Sequence, residues 1–187
     1  MTSDEELYEQ LMNGRMAAFD ELYRRYERRL FGFILTQLGD RSEAEDVFHD
    51  AFLAVLREPR KKDFQNFRAW IFQVARHLCL NRARSRKRAV QALAKVGSNE
   101  AGMGTLEIAT TAADGEVFAA EQEGPEALRR AVAALPMTLA QVYELRSAGH
   151  SYEQMAGILG VPLGTVKSRM SEMMARLKKE MLPWTAR

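Results

Sequence analysis

The chain has 187 residues, 47% of them hydrophobic and 28% charged, with a net charge of +2; this balance excludes disordered and collagenous classes and leaves room for one ordinary domain or two small ones. A single cysteine, Cys79, excludes an internal disulfide, and no Cys/His cluster has the spacing of a structural zinc site. No apolar run approaches the roughly 20 residues of a membrane span, and the acidic start MTSDEELYEQ is unlike a secretory signal, so a cytoplasmic protein with no membrane insertion is predicted.

Ser3 with Glu6 forms a capping-box pair, and Leu7 and Leu11 share the face behind it, which predicts a short helix ending near Gly14. From Phe19 the apolar positions Leu22, Tyr23, Tyr26, Leu30, Phe33, Ile34 and Leu38 recur at three-and-four spacing until Gly39-Asp40 stops them. A second amphipathic helix begins near Ser42, turning Val47, Phe48, Ala51, Phe52, Val55 and Leu56 inward and leaving Asp46, His49 and Asp50 outward. A third carries Phe67, Trp70, Ile71, Val74, Ala75 and Leu78 as its buried stripe, then runs into the basic stretch from Asn81 to Arg88. Cys79 sits beside that stripe and reads as a packed thiol. With no strand signal among them, residues 1–88 read as a helical bundle.

Residues 89–125 contain glycines, small residues and scattered acids without a sustained apolar stripe, so they read as an acidic linker, too long for a loop inside one compact domain. Residues 89–96 can still extend the preceding helix. Beyond Pro125, helical periodicity returns with Leu128, Val132 and Leu135, breaks at Pro136, and resumes through Leu139, Val142, Tyr143 and Leu145. Ser151 with Gln154 is a second capping-box pair; it opens a short helix that closes at Gly160, and a longer helix follows Pro162. The fold class predicted is all-α, with an amino-terminal bundle and a small carboxy-terminal domain over 126–187.

In that second domain Ala156, Gly160 and Val166 stand where a helix-turn-helix needs a small residue, a turn glycine and a core contact. The following helix presents Thr165, Lys167, Ser168, Arg169 and Arg176, donors suited to phosphates and base edges. A packing hairpin with a solvated basic face is the alternative. Charge along the chain favours recognition. Residues 1–55 hold 6 basic and 12 acidic side chains, 56–88 hold 11 and 2, 89–126 hold 1 and 7, 127–162 hold 3 and 2, and 163–187 hold 6 and 2. Two basic blocks separated by an acidic one point to two polyanion contacts made by one chain.

Gly164-Thr-Val-Lys-Ser-Arg169, preceded by Leu159-Gly-Val-Pro162 and Ala134-Leu-Pro136, resembles the carboxy-terminal domain of extracytoplasmic-function sigma factors of the sigma-70 family. Upstream, Ala44-Glu-Asp-Val-Phe-His-Asp-Ala-Phe52 is similar to that family's core-binding helix, and Phe67-Arg-Ala-Trp-Ile-Phe-Gln-Val-Ala-Arg76 to its promoter-melting helix. The resemblance implies that Glu43, Asp46, His49 and Asp50 dock on the clamp of core RNA polymerase, with the second domain on its flap. It implies that Phe64, Gln65 and Asn66 capture a base flipped from the upstream minus-10 element. Arg76, Asn81, Arg82, Arg84, Arg86, Lys87 and Arg88 would line the path of the separated strands, and Thr165, Lys167, Ser168, Arg169 and Arg176 would read the minus-35 element. An anti-sigma factor is a further implied partner. At His49, His77 and Asn81 the sequence departs from the Gln, Asn and Asp that are common in relatives, which leaves the fine promoter preference open.

A stand-alone helix-turn-helix regulator is the competing reading, but it would need a dimerisation, ligand or receiver unit that the amino-terminal bundle does not suggest. No catalytic dyad or phosphate loop is legible: Gly160 and Gly164 are too close together, and Lys167 does not follow a glycine. Neither an enzymatic centre nor a cofactor is predicted.

Overall fold

The computed structural model describes residues 2–57, 66–97 and 126–185. These form eight helices and no strand: α1 Asp4–Met12, α2 Met16–Leu38, α3 Arg41–Arg57, α4 Phe67–Gly97, α5 Glu126–Ala133, α6 Met137–Ser147, α7 Tyr152–Leu159 and α8 Leu163–Thr185. Punctuation falls where side-chain chemistry asks for it. The Ser3 hydroxyl accepts from the Glu6 amide at 3.1 Å while Glu6 Oε2 accepts from the Ser3 amide at 2.8 Å, so α1 begins with two of its free donors satisfied. Gly39 ends α2 in the left-handed region at φ 70, a conformation that costs an L side chain energy. Asp40 then accepts from the Glu43 amide and opens α3, one residue ahead of the predicted start.

α1 to α4 make an aromatic-rich bundle. Leu22, Leu30, Phe33, Ile34, Phe67 and Ile71 are fully buried, and Tyr23, Phe48 and Phe52 pack as tilted or edge-on rings with centroids 4.9–5.3 Å apart. α1 is fastened to both of its neighbours. Asp4 accepts from the Tyr26 hydroxyl and from Arg25 Nη1 at 2.8 Å, and Glu5 Oε1 accepts from the Phe67 backbone amide at 3.1 Å. Cys79 is buried in this bundle, and burial pushes its thiol up to about 12. Trp70 lies half-buried against the rings of Tyr8 and Phe67, a packing role.

The second group of helices is built on Leu139, Val142, Leu145, Met155, Ile158, Leu159 and Val166. α5 and α6 both lie along α8, and α7 meets α8 through the Gly160 turn.

Three expectations change. Leu56 is 42% exposed, because one residue past Val55 the helix has already rotated away from the core. Phe72, left outside the predicted stripe, is fully buried. It meets Phe33 on one side and His150 of the second helical group on the other, at 5.3 and 4.6 Å between centroids. α4 runs past Arg88 to Gly97, so the first part of the predicted linker is helical. Residues 98–125 lie outside the described residues.

The two groups share one continuous core. α6 rests on α2, and α7 rests on α4.

Candidate nucleic-acid interface

α7 and α8 form the helix-turn-helix. The Ser151–Gln154 capping box starts α7, Gly160 at φ 60 turns the chain, and the Pro162 carbonyl accepts from the Thr165 and Val166 amides at the head of α8. Val166, Met170, Met173 and Leu177 bury one face of α8. The opposite face is polar. Lys167 and Ser168 are exposed, Thr165 and Arg169 half-buried at its rim. Ser168 donates its hydroxyl to the Thr165 carbonyl at 3.0 Å, and Arg176 pairs with Glu172 at 2.9 Å one turn away. The five predicted residues therefore occupy one helix, with the donors nearest its amino end outward, where a recognition helix meets base edges.

The second cationic surface is the outer side of α4. Asn81, Arg84, Arg86, Lys87 and Arg88 are exposed, and Arg82 is half-buried. Asn66 spends its carboxamide oxygen as the amino-terminal cap of α4, accepting from the Ala69 amide at 2.8 Å. Phe64 and Gln65 lie outside the described residues. Arg76 stands apart from the exposed run. It is half-buried, with its guanidinium against Gly160 of α7, and burial lowers its pKa from the ordinary arginine value.

On α3, Asp46, His49 and Asp50 are exposed and Glu43 is half-buried. The fold brings this acidic strip against the basic run of α4. Arg82 Nη2 lies 2.5 Å from Asp46 Oδ2, and Arg86 Nη1 lies 3.9 Å from Glu43 Oε2. Two sites that are separate in sequence thus abut, a pairing across 36 positions that no local signal announces. Leu53 at 40% and Leu56 at 42% exposure continue the strip with apolar surface. Leu53 was legible in principle, since 46, 49, 50 and 53 repeat at helical spacing.

His150 is missing from every predicted site. Its ring is fully buried, and neither nitrogen meets a hydrogen-bond partner among the described residues. Among those residues no group of three or more His, Cys, Asp and Glu is placed to hold a metal, and no helix is long and apolar enough to cross a membrane.

Known families match the two helical parts of this chain. Residues 22–89 match the family described as Sigma-70 region 2, and residues 125–177 match Sigma-70, region 4. The ECF RNA polymerase sigma factor SigM of Mycobacterium tuberculosis is 30% identical over 95% of this chain and 84% of its own length. The RNA polymerase sigma-H factor of Pseudomonas aeruginosa is 26% identical over 96% and 94%. Among solved structures, the sigma factor RpoE of Bartonella quintana, in complex with the anti-sigma factor NepR, superposes with a TM-score of 0.60 at 23% identity, covering 89% of this chain and 97% of that one. CnrH in complex with the cytosolic domain of CnrY superposes with a TM-score of 0.57 at 21% identity, covering 94% and 95%. At these identities the two structures attest the all-helical, two-domain fold.

Proposed function

The chain belongs to the extracytoplasmic-function sigma factors of the sigma-70 family, and from that premise we propose how its surfaces divide the work of promoter recognition. The domain over 1–88 binds core polymerase, melts the promoter and reads the upstream minus-10 element; the domain over 126–187 reads the minus-35 element; 89–125 joins them. The chain acts in the cytoplasm as a regulatory subunit without a catalytic centre of its own.

The amino-terminal half of α8 enters the major groove. There Lys167, Ser168 and Arg169 reach base edges and phosphates while Thr165 sits at the rim, and Arg176 holds the flanking backbone. Along α4, Asn81, Arg82, Arg84, Arg86, Lys87 and Arg88, with Arg76 nearer the bundle, supply counter-charge to the separated strands. Strand separation leaves an unstacked base costing a few kcal/mol, which Phe64, Gln65 and Asn66 offset by stacking and hydrogen bonding. Glu43, Asp46, His49 and Asp50, extended by Leu53 and Leu56, dock on the polymerase clamp, and the second domain meets the flap. The charges steer and orient the encounter while the leucines supply buried apolar area. Arg82 and Arg86 must exchange Asp46 and Glu43 for phosphates, so polymerase docking and DNA binding are coupled on this side of the molecule. An anti-sigma factor competes for the same surfaces.

The observation that carries this reading is the pair of cationic helix faces, one on a helix-turn-helix and one beside an acidic docking strip, within a family match over both. Its test is multi-round transcription by core polymerase with the purified chain on a promoter library. Selective initiation that falls steeply with salt is the outcome expected. Duplex binding as a dimer with no initiation would support a stand-alone regulator instead.

A further inference from the structure

We propose that α1 is a positioning element for base reading, in which Glu5 and Tyr8 hold the head of α4 so that Asn66 presents its amide group at a set depth and angle; the contact stands by itself, and its promoter role rests on the reading above. α1 lies ahead of residues 22–89, which match the region 2 family, so that match assigns it no task. Its apolar face, Leu7, Tyr8 and Leu11, is buried and holds it on the bundle, but apolar burial has no direction. Direction comes from the polar groups. Glu5 Oε1 accepts from the Phe67 backbone amide at 3.1 Å, a bond between residues 62 positions apart. The rings of Tyr8 and Tyr26 pack on Phe67, with centroids 5.6 and 5.4 Å from its own, and Phe67 is fully buried.

α1 is itself braced, so it can serve as a fixed support. Besides binding Asp4, Arg25 Nη1 donates to the Thr2 carbonyl at 2.9 Å, and Arg25 Nε reaches Glu21 Oε1 at 2.8 Å. The side chains of Asp4 and Arg25 are only 15% and 23% exposed, which spares this pair much of the screening that weakens a surface ion pair. At the head of α4, Asn66 is exposed; its carboxamide oxygen caps the Ala69 amide, and its carbonyl accepts from the Trp70 amide at 3.2 Å. The amides of Phe67, Ala69 and Trp70 thus all have protein acceptors, so this helix end offers a phosphate little. The carboxamide NH2 of Asn66 is the donor suited to a base edge. A donor that tells one base from another has to be held within about 0.5 Å of its place. Phe67 is the residue beside it, and α1 holds Phe67.

Full-length chains carrying Glu5→Ala, Glu5→Gln or, as a control at an exposed position of the same helix, Glu9→Ala test this. Alanine is the strongest helix former, so α1 persists in both alanine variants, and glutamine keeps an oxygen that can accept from the Phe67 amide. Two measurements are made on each: amide hydrogen exchange from Phe67 to Trp70 in the free chain, and initiation with core polymerase on promoters differing only at the upstream minus-10 base. Glu5→Ala is expected to exchange faster at Phe67 and to lose about tenfold in discrimination, the worth of one good base contact. Its affinities for core polymerase and for minus-35 duplex should stay at the wild-type level. Glu5→Gln and Glu9→Ala should match wild type in both measurements. Unchanged exchange in Glu5→Ala overturns the latch, and faster exchange with full discrimination overturns the positioning role. A glutamine variant as unselective as the alanine one, or an equal loss of minus-35 binding, overturns that role as well. A wild-type chain that initiates from no promoter overturns the sigma reading, and the exchange comparison then still decides the contact.

Discussion

Lys167 and Phe33 illustrate how differently two residues can contribute. Lys167 is exposed on the outer face of α8, where under the proposed reading its charge acts on DNA phosphates and contributes little to the fold. Lys167→Ala is expected to weaken duplex binding about uniformly across sequences and to lower the slope of log affinity against log salt by about 1, as titration at several salt concentrations will show. Phe33 is fully buried beside Phe72. Its truncation to alanine is expected to cost about 3–5 kcal/mol in thermal or denaturant unfolding, with the range set by how far the bundle collapses around the hole. Both placements were legible, because a basic residue opposite an apolar stripe and an aromatic residue within one need only helical period to be placed.

At the scale of elements, the start of α4 separates two jobs that Asn66 can do. As cap acceptor it satisfies the Ala69 amide, and as amide donor it is proposed to read a flipped base. Asn66→Ala is expected to lose about 1 kcal/mol of unfolding free energy. Asn66→Asp keeps the cap, so its stability should match wild type while minus-10 selectivity falls in open-complex assays. On α3, Leu53 stands 40% exposed in the proposed docking strip. Leu53→Ala should weaken capture by core polymerase about tenfold in equilibrium binding and change stability by less than about 0.5 kcal/mol. Leu56 shows the limit of pattern at helix ends. One residue of phase error moves a side chain about 100° around the axis, enough to take it from core to surface.

At the scale of the whole molecule, two buried titratable residues in the joint between the helical groups oppose each other. Burial of Glu144, whose carboxylate faces Gly32 of α2, pushes its pKa up to about 7. The docked form is therefore unpenalised below the ordinary carboxylate value and progressively disfavoured as pH rises toward 7. Burial pushes His150 down to about 4, helped by Arg68 on α4. The docked form is thus unpenalised above about 6.5 and disfavoured as pH falls toward 4. Because the windows overlap with opposite sign, scattering of the wild-type chain should change little between pH 5 and 8. Glu144→Gln should leave the His150 arm alone, so that docking strengthens as pH rises from about 4 to 6.5; His150→Gln should reverse the trend, with docking weakening from about 4.5 to 7.

The amino-acid sequence by itself determined the helices, their caps, the helix-turn-helix and the charge blocks, since each depends on residues within a few positions of one another along a 3.6-residue period. Tertiary structure alone decided that Phe72 is core, that Arg82 and Arg86 meet Asp46 and Glu43, that Arg76 is half-buried against the Gly160 turn, and that His150 is sealed between the two helical groups. The ion pairs depend on how α3 packs on α4 within the bundle, and the others on which helix faces meet between the two helical groups. An isolated histidine or a lone glycine carries no periodic signal that names its distant neighbour.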